Sequence, residues 1–316
     1  MPVRLLAAAV LLLLAGCATP ARHARAFWAG DRPAAVELEN VPFHPQREFQ
    51  CGPAALATVL GTSGLPVTPD QLTPEVFLPG RRGSLQTELA ASARRRGRLA
   101  YVLRPEHDAL LDEVASGRPV LVLQNLGLGL LPRWHYAVVV GYDAGRDALV
   151  LRSGVRERAI LPRSRFEGTW RRAGNWAMVV AQPGEVPVSA DAAGYVRAIT
   201  DLEAVATSAD LMAAYAAGRA RWPRESLFLF GLANQQVSRG NWPAAEGLLG
   251  ELLQREPGDV PARNNLAVVL MRMGRLDEAA RQAALALTAA QGSPWQATVT
   301  ATVEEIRVAR ATAGAW

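Results

Sequence analysis

The chain opens with one arginine, Arg4, and then an unbroken apolar run from Leu5 to Ala15 that ends on the small pair Gly16-Cys17. That run is too short to persist as a membrane-spanning helix and has the layout of a secretory signal. Residues 18–39 lack a clear period and are expected to form a polar tether. Apolar order returns at Ala54–Leu60, a strong helix former with Pro53 well placed in the first turn. A second, amphipathic helix is expected from Ser84, ending in Arg94, Arg95, Arg96 and Arg98 with Gly97 as its cap. Cations there complement the helix dipole, and the run reads either as a solvated helix end or as a phosphate or membrane contact. Pro119–Gln124 then predicts a strand. The next segment, Trp134-His135-Tyr136-Ala137-Val138-Val139-Val140-Gly141-Tyr142-Asp143, is apolar without alternation, which predicts a central strand buried on both faces. Strands at Ala148–Gly154, Arg158–Leu161 and Ala177–Val180, joined by short turns, predict a mostly antiparallel sheet.

Residues Gln182-Pro183-Gly184-Glu185-Val186-Pro187 are turn-rich and mark a boundary. Beyond them the strand pattern stops and Ala/Leu helical patterns take over. Leu232, Ala233, Gly240, Ala245 and Leu252 recur as Leu266, Ala267, Gly274, Ala279 and Ala286, always 34 positions later. That period and pattern resemble the tetratricopeptide repeat. Small residues at Ala245 and Ala279 let paired helices approach, and Gly240 and Gly274 turn between them. The expected units are 226–259 and 260–293, preceded by a degenerate unit at 192–225 and followed by a capping helix at 294–312. The region is either a groove for a peptide or partner segment, or a scaffold that stabilises its neighbour.

Composition narrows the chemistry. The chain has 316 residues, half of them hydrophobic and a fifth charged, so it can bury real cores. The charge of +5 comes entirely from arginine, with no lysine, and its excess lies in residues 40–186. Basic residues are not gathered on one face, so no nucleic-acid partner is expected. Cys17 and Cys51 are the only cysteines, which excludes a disulfide framework. The four histidines and the spare cysteine lack metal-ligand spacing, and no phosphate-binding glycine loop precedes a helix, so neither metal nor cofactor is expected. Gly127-Leu128-Gly129 is expected in a flexible loop bordering the cleft.

Leu14-Ala15-Gly16-Cys17 resembles the lipobox of bacterial lipoproteins. The resemblance implies a lipid on Cys17, a membrane partner through that anchor, and an outer-membrane location facing the periplasm. Cys51 is then the one free thiol in an oxidising compartment, either a reactive group or a buried inert one. It falls at the N-terminus of the helix that follows, where exposed N–H groups and the helix dipole are expected to favour a thiolate. Its backbone N–H would also face an attacked carbonyl oxygen.

The run Gln46-x-x-x-x-Cys51-Gly52-Pro53-Ala54-Ala55-Leu56-Ala57, with His135 opening an apolar strand downstream, resembles papain-fold cysteine peptidases related to the bacteriocin-processing, double-glycine leader peptidases. The resemblance spans about residues 40–182 and implies an α+β papain-like domain at 40–186, ahead of an all-α repeat domain at 192–312. It makes Cys51 the nucleophile, His135 the general base in a thiolate–imidazolium pair, and Gln46, ahead of the adjacent Gln50, the side-chain oxyanion donor. The family places an Asp-Pro about sixteen residues after the histidine, where this chain has Ser153-Gly154. The imidazole orienter is left among Ser153, Asn175 and Asp143, with Ser153 first. The expected function is a lipid-anchored periplasmic cysteine peptidase acting on a peptide or protein. The alternative is a non-catalytic, peptidase-like binding or assembly lipoprotein.

Overall fold

The computed structural model describes residues 24, 26–46 and 50–313, so Cys17 and the signal run lie outside the described residues. The chain divides into two compact units. One runs to Gln182 and includes Pro187–Asp191, and the other comprises Pro183–Val186 and the chain from Ala192 onward.

The first unit is α+β. Its strands are β1 (Ala35–Glu37), β2 (Leu99–Val102), β3 (Val120–Asn125), β4 (Trp134–Asp143), β5 (Ala148–Ser153), β6 (Arg156–Pro162) and β7 (Ala177–Ala181). They form one sheet in the order β2-β7-β3-β4-β5-β6, with β1 paired to the far end of β4. Every pairing is antiparallel. β4 lies between β3 and β5, and Tyr136–Tyr142 are buried throughout, as its unalternating apolar run predicts. Helix α1 (Cys51–Thr62) lies on one face, where Leu56, Val59 and Leu60 pack with Tyr136, Val138 and Val140. The alternate residues Val122, Ala137 and Val139 are buried as well. Helices α4 (His107–Ala115) and α5 (Arg163–Arg171) pack against that part of the sheet.

Two further helices, α2 (Pro69–Val76) and α3 (Gln86–Arg95), complete the layer around α1. The arginines at the end of α3 are not a free cationic patch. The guanidinium of Arg96 donates to both carboxylate oxygens of Glu75 at 2.5 Å, and Nε of Arg98 donates to Ser63 at 3.2 Å. The Arg96 contact holds the Glu75 carboxyl down to about 2. Arg95 adds a longer contact to the same carboxylate at 3.4 Å, so these residues tie α3 and the turn after it to α2 and α1, and at least three of the four cations are committed internally.

The second unit is helical throughout. Its helices are α6 (Ala192–Glu203), α7 (Ser208–Arg221), α8 (Ser226–Ser238), α9 (Trp242–Arg255), α10 (Val260–Arg272), α11 (Leu276–Ala289) and α12 (Gln296–Ala313). Proline stands in the first turns of α9 and α10, where its missing N–H costs nothing, and Asp259 caps α10 by accepting the Ala262 N–H at 2.7 Å. Gly240 and Gly274 have φ of 70° and 76°, a left-handed turn that a side chain would strain, between α8 and α9 and between α10 and α11. Ala245 and Ala279 are fully buried beside Leu229, Leu249 and Leu266.

Candidate active site

The site is assembled where β5 parts from β4. Their pairing ends at Val138 opposite Arg152. Gln46 bridges the gap. Its backbone N–H donates to the Gly154 carbonyl at 3.1 Å, and its side-chain Nε2 donates to the Tyr136 carbonyl at 3.3 Å. α1 then starts at Cys51, because Pro53 and the alanine run favour helix while the first-turn N–H groups have no partner within it.

Those N–H groups converge on the thiol. The backbone N–H groups of Tyr136, Gly52 and Cys51 itself are directed at the thiol and favour its ionised form. The sulfur therefore rests on the peptide that joins His135 to Tyr136. On the other side, Nε2 of His135 is 2.9 Å from Oγ of Ser153. With the proton on Nε2, Ser153 accepts it and the lone pair sits on Nδ1.

Electrostatics corrects the expectation of a preformed ion pair. The half-buried Cys51 thiol is pushed up by burial, which outweighs the three N–H groups that pull it down. His135 falls to about 4, first from burial and then from the charge of Arg133. Desolvation outweighs the helix N-terminus here and favours the neutral form of both the thiol and the imidazole.

The other candidate orienters stand apart. Asn175 has φ of 52° and donates Nδ2 to the Pro105 carbonyl at 3.2 Å, which serves a loop. Asp143 ends the same strand that His135 begins, roughly 27 Å away at ~3.4 Å per residue. It accepts the Arg146 N–H at 3.0 Å, the turn role that aspartate often fills. Gln50 is the residue before α1 and makes no side-chain cap bond to it.

Tyr136 has a part that the sequence reading missed. Its N–H faces the thiol, its carbonyl holds Gln46, its ring meets Trp176 edge-on at 6.0 Å, and its hydroxyl donates to the Ser84 carbonyl at 3.2 Å. Ser84 in turn presses on Gly52: a Cβ on that glycine would lie 2.3 Å from the Ser84 hydroxyl. Glycine after Cys51 is thus a packing requirement. The available signal was a tyrosine placed directly after the histidine, ahead of the aliphatic run of the strand.

Comparison with known proteins agrees with this division. Residues 38–178 match the Peptidase_C39 like family, and residues 236–301 match the tetratricopeptide repeat. A Bacillus anthracis protein described as C39-like peptidase aligns at 21% identity and a TM-score of 0.40, over 46% of this chain and 97% of its own. The peptidase domain of Streptococcus ComA, a bifunctional ABC transporter, aligns at 21% identity and a TM-score of 0.35, over 43% and 95%. The type III secretion translocator chaperone SycD of Yersinia enterocolitica aligns at 17% identity and a TM-score of 0.36, over 38% and 93%. No curated protein matches the chain. The chain carries an α+β C39-like peptidase domain followed by a helical tetratricopeptide-repeat region.

Proposed function

We propose that the chain is a cysteine peptidase with Cys51 as nucleophile, held at the bacterial envelope by lipid on Cys17. One observation carries the catalytic part: the Cys51 thiol sits on the His135–Tyr136 peptide while the far nitrogen of His135 is fixed by Ser153. Sγ attacks the carbonyl carbon of a peptide bond as its proton passes to Nδ1 of His135. Because both groups rest neutral, this transfer accompanies the attack and does not precede it. The oxyanion is held by the Cys51 N–H and by Gln46, whose amide has two N–H bonds and spends one on Tyr136. Collapse expels the amine, which takes the proton from His135. Water, deprotonated by the same imidazole, then hydrolyses the thioester and frees the thiol.

The substrate is a peptide or protein segment, and the repeats offer a surface for it or for a partner. Support for the anchor is the Leu14-Ala15-Gly16-Cys17 sequence after an apolar signal; palmitate labelling should vanish in Cys17→Ser. The catalytic reading is tested by a peptide-library screen. Cleavage lost in Cys51→Ala and in His135→Ala is expected, and a wild-type protein that cleaves nothing Cys51→Ala does not would overturn it. Ser153 in place of an acid, with the neutral resting pair, favours a second reading in which the domain only binds peptides. In that case library peptides would be retained equally by wild type and Cys51→Ala, and none would be cut.

A further inference from the structure

We infer that the loop between β3 and β4, next to the candidate active site, is a docking tip for an anionic membrane surface. Residues 126–133 carry four leucines and no acid. Leu128 is 73% exposed, Leu130 96% and Leu131 74%, and Trp134 at the start of β4 is 56% exposed. So large an apolar cluster on a loop marks a contact surface.

The loop is built to hold these side chains out. Oδ1 of the buried Asn125 accepts the N–H groups of Gly127 and Arg133, both at 2.9 Å, and closes the base. The Arg172 guanidinium braces the Asn125 carbonyl at 2.9 Å. Leu131 N–H returns to the Leu128 carbonyl at 3.1 Å, turning the tip. At the base lies a cavity of about 360 Å³ lined by Leu126, Arg133, Arg165 and Arg172 among others, with no carboxylate in its wall.

The loop thus offers exposed leucines, an exposed tryptophan where β4 begins, and three arginines around the cavity at its base. Those three chemistries match the three layers of an anionic bilayer: hydrocarbon for leucine, interface for tryptophan, phosphate for arginine. A peptide would need a groove that shelters its side chains, whereas Leu130 projects with almost nothing beside it. His135 follows Trp134 directly, so a docked tip holds the site at the lipid surface, where its substrates would be those presented there.

The test uses residues 18–316, which keep every described element, sedimented with vesicles of phosphatidylcholine alone or with about one-third phosphatidylglycerol. Wild type should pellet with the anionic vesicles and leave them at about 0.5 M NaCl. The double variant Leu130→Glu/Leu131→Glu should lose at least about tenfold in partition, since two leucines no longer enter the hydrocarbon. Arg165→Glu should lose about fivefold or more on anionic vesicles only. Leu130→Ser, a milder change at an exposed position, should fall between wild type and the double variant with an unchanged melting curve. Wild type remaining in the supernatant, or the leucine variants pelleting like wild type, overturns the proposal. So does loss of peptide cleavage in the leucine variants without vesicle binding by wild type, which would make the tip a substrate contact. The sedimentation readout needs no activity, so it stands or falls separately from the peptidase reading.

Discussion

In the α+β unit, the groups of the site come from far apart in the sequence. Gln46 meets Tyr136 from 90 positions away, Tyr136 meets Ser84 from 52, and His135 meets Ser153 from 18. In the helical unit, cross-helix polar contacts link positions about one repeat apart: Arg219 with Glu251 at 32, Asn265 with Asn234 at 31, Arg275 with Glu246 at 29 and Arg310 with Asp277 at 33. The first architecture closes long loops onto one point, so a single side chain there can carry the function. The second repeats a neighbour-to-neighbour contact, so its properties are spread along the stack. A convergent site and an extended surface are different uses of burial, and the two units divide them.

The comparison breaks most sharply at the thiol. Cys51→Ala should lower peptide cleavage by about 10⁴-fold or more, because removing the nucleophile of a concerted set leaves only binding and oxyanion contributions. Circular dichroism should be unchanged. No single substitution in α6 to α12 should approach that loss. If one did, chemistry would not be confined to the first unit.

Core truncation comes next. Leu56 in α1 and Leu249 in α9 are both fully buried. Each change to alanine should cost about 2–5 kcal/mol. Hydrogen exchange should separate them. Leu249→Ala should speed exchange in the helices around it, as nearest-neighbour stacks open locally. Leu56→Ala should loosen the sheet and with it the site, since Leu56 packs in the core that also contains Tyr136.

Acid provides a third, smaller probe. In the fold His135 titrates at about 4, below its ordinary 6.5. The unfolded chain therefore binds more protons between those values, and stability falls as pH drops from about 6.5 to 4, by up to about 3 kcal/mol. Above 6.5 the contribution is fully present, and below about 4 it declines no further. His135→Gln should flatten denaturation midpoints across that window. A wild-type protein equally stable at pH 4 and 7 would contradict a buried neutral imidazole. Glu75 and Arg96 act lower: their pair should persist until pH approaches about 2.

Much of this was legible in the chain, for physical reasons that differ by element. The unalternating run after His135 could only be a strand buried on both faces, and β4 is one. The 34-residue recurrence of small and apolar residues follows from helices that must approach at fixed intervals. Cys51 at a helix start was legible from Pro53 and the alanines. What was not legible depended on burial. Helix position argued for a thiolate, but desolvation of Cys51 and His135 outweighs it, and burial is a property of the closed fold. Tyr136 and Ser84 were hidden for the same reason, since their parts depend on which backbone groups meet across the gap. The arginines after α3 read as surface charge because Glu75, the partner of Arg96, lies 21 positions away.

The finest distinction concerns Ser153. A serine hydroxyl can orient Nε2 of His135 but brings no charge to stabilise an imidazolium. Ser153→Asp would place a carboxylate at that nitrogen, raise the imidazole from about 4, and favour the ionised form of the Cys51–His135 pair. Iodoacetamide should then label Cys51 faster at neutral pH, by about tenfold for each unit of thiol shift. The acid-induced loss of stability should shrink in parallel, because the folded and unfolded values of His135 draw together. Ser153→Ala should move labelling little and slow cleavage by about tenfold, the effect of an orienter that acts by geometry alone. Equal cleavage by wild type, Ser153→Asp and Ser153→Ala would mean that the His135–Ser153 contact positions nothing, and that the imidazole is held by its burial.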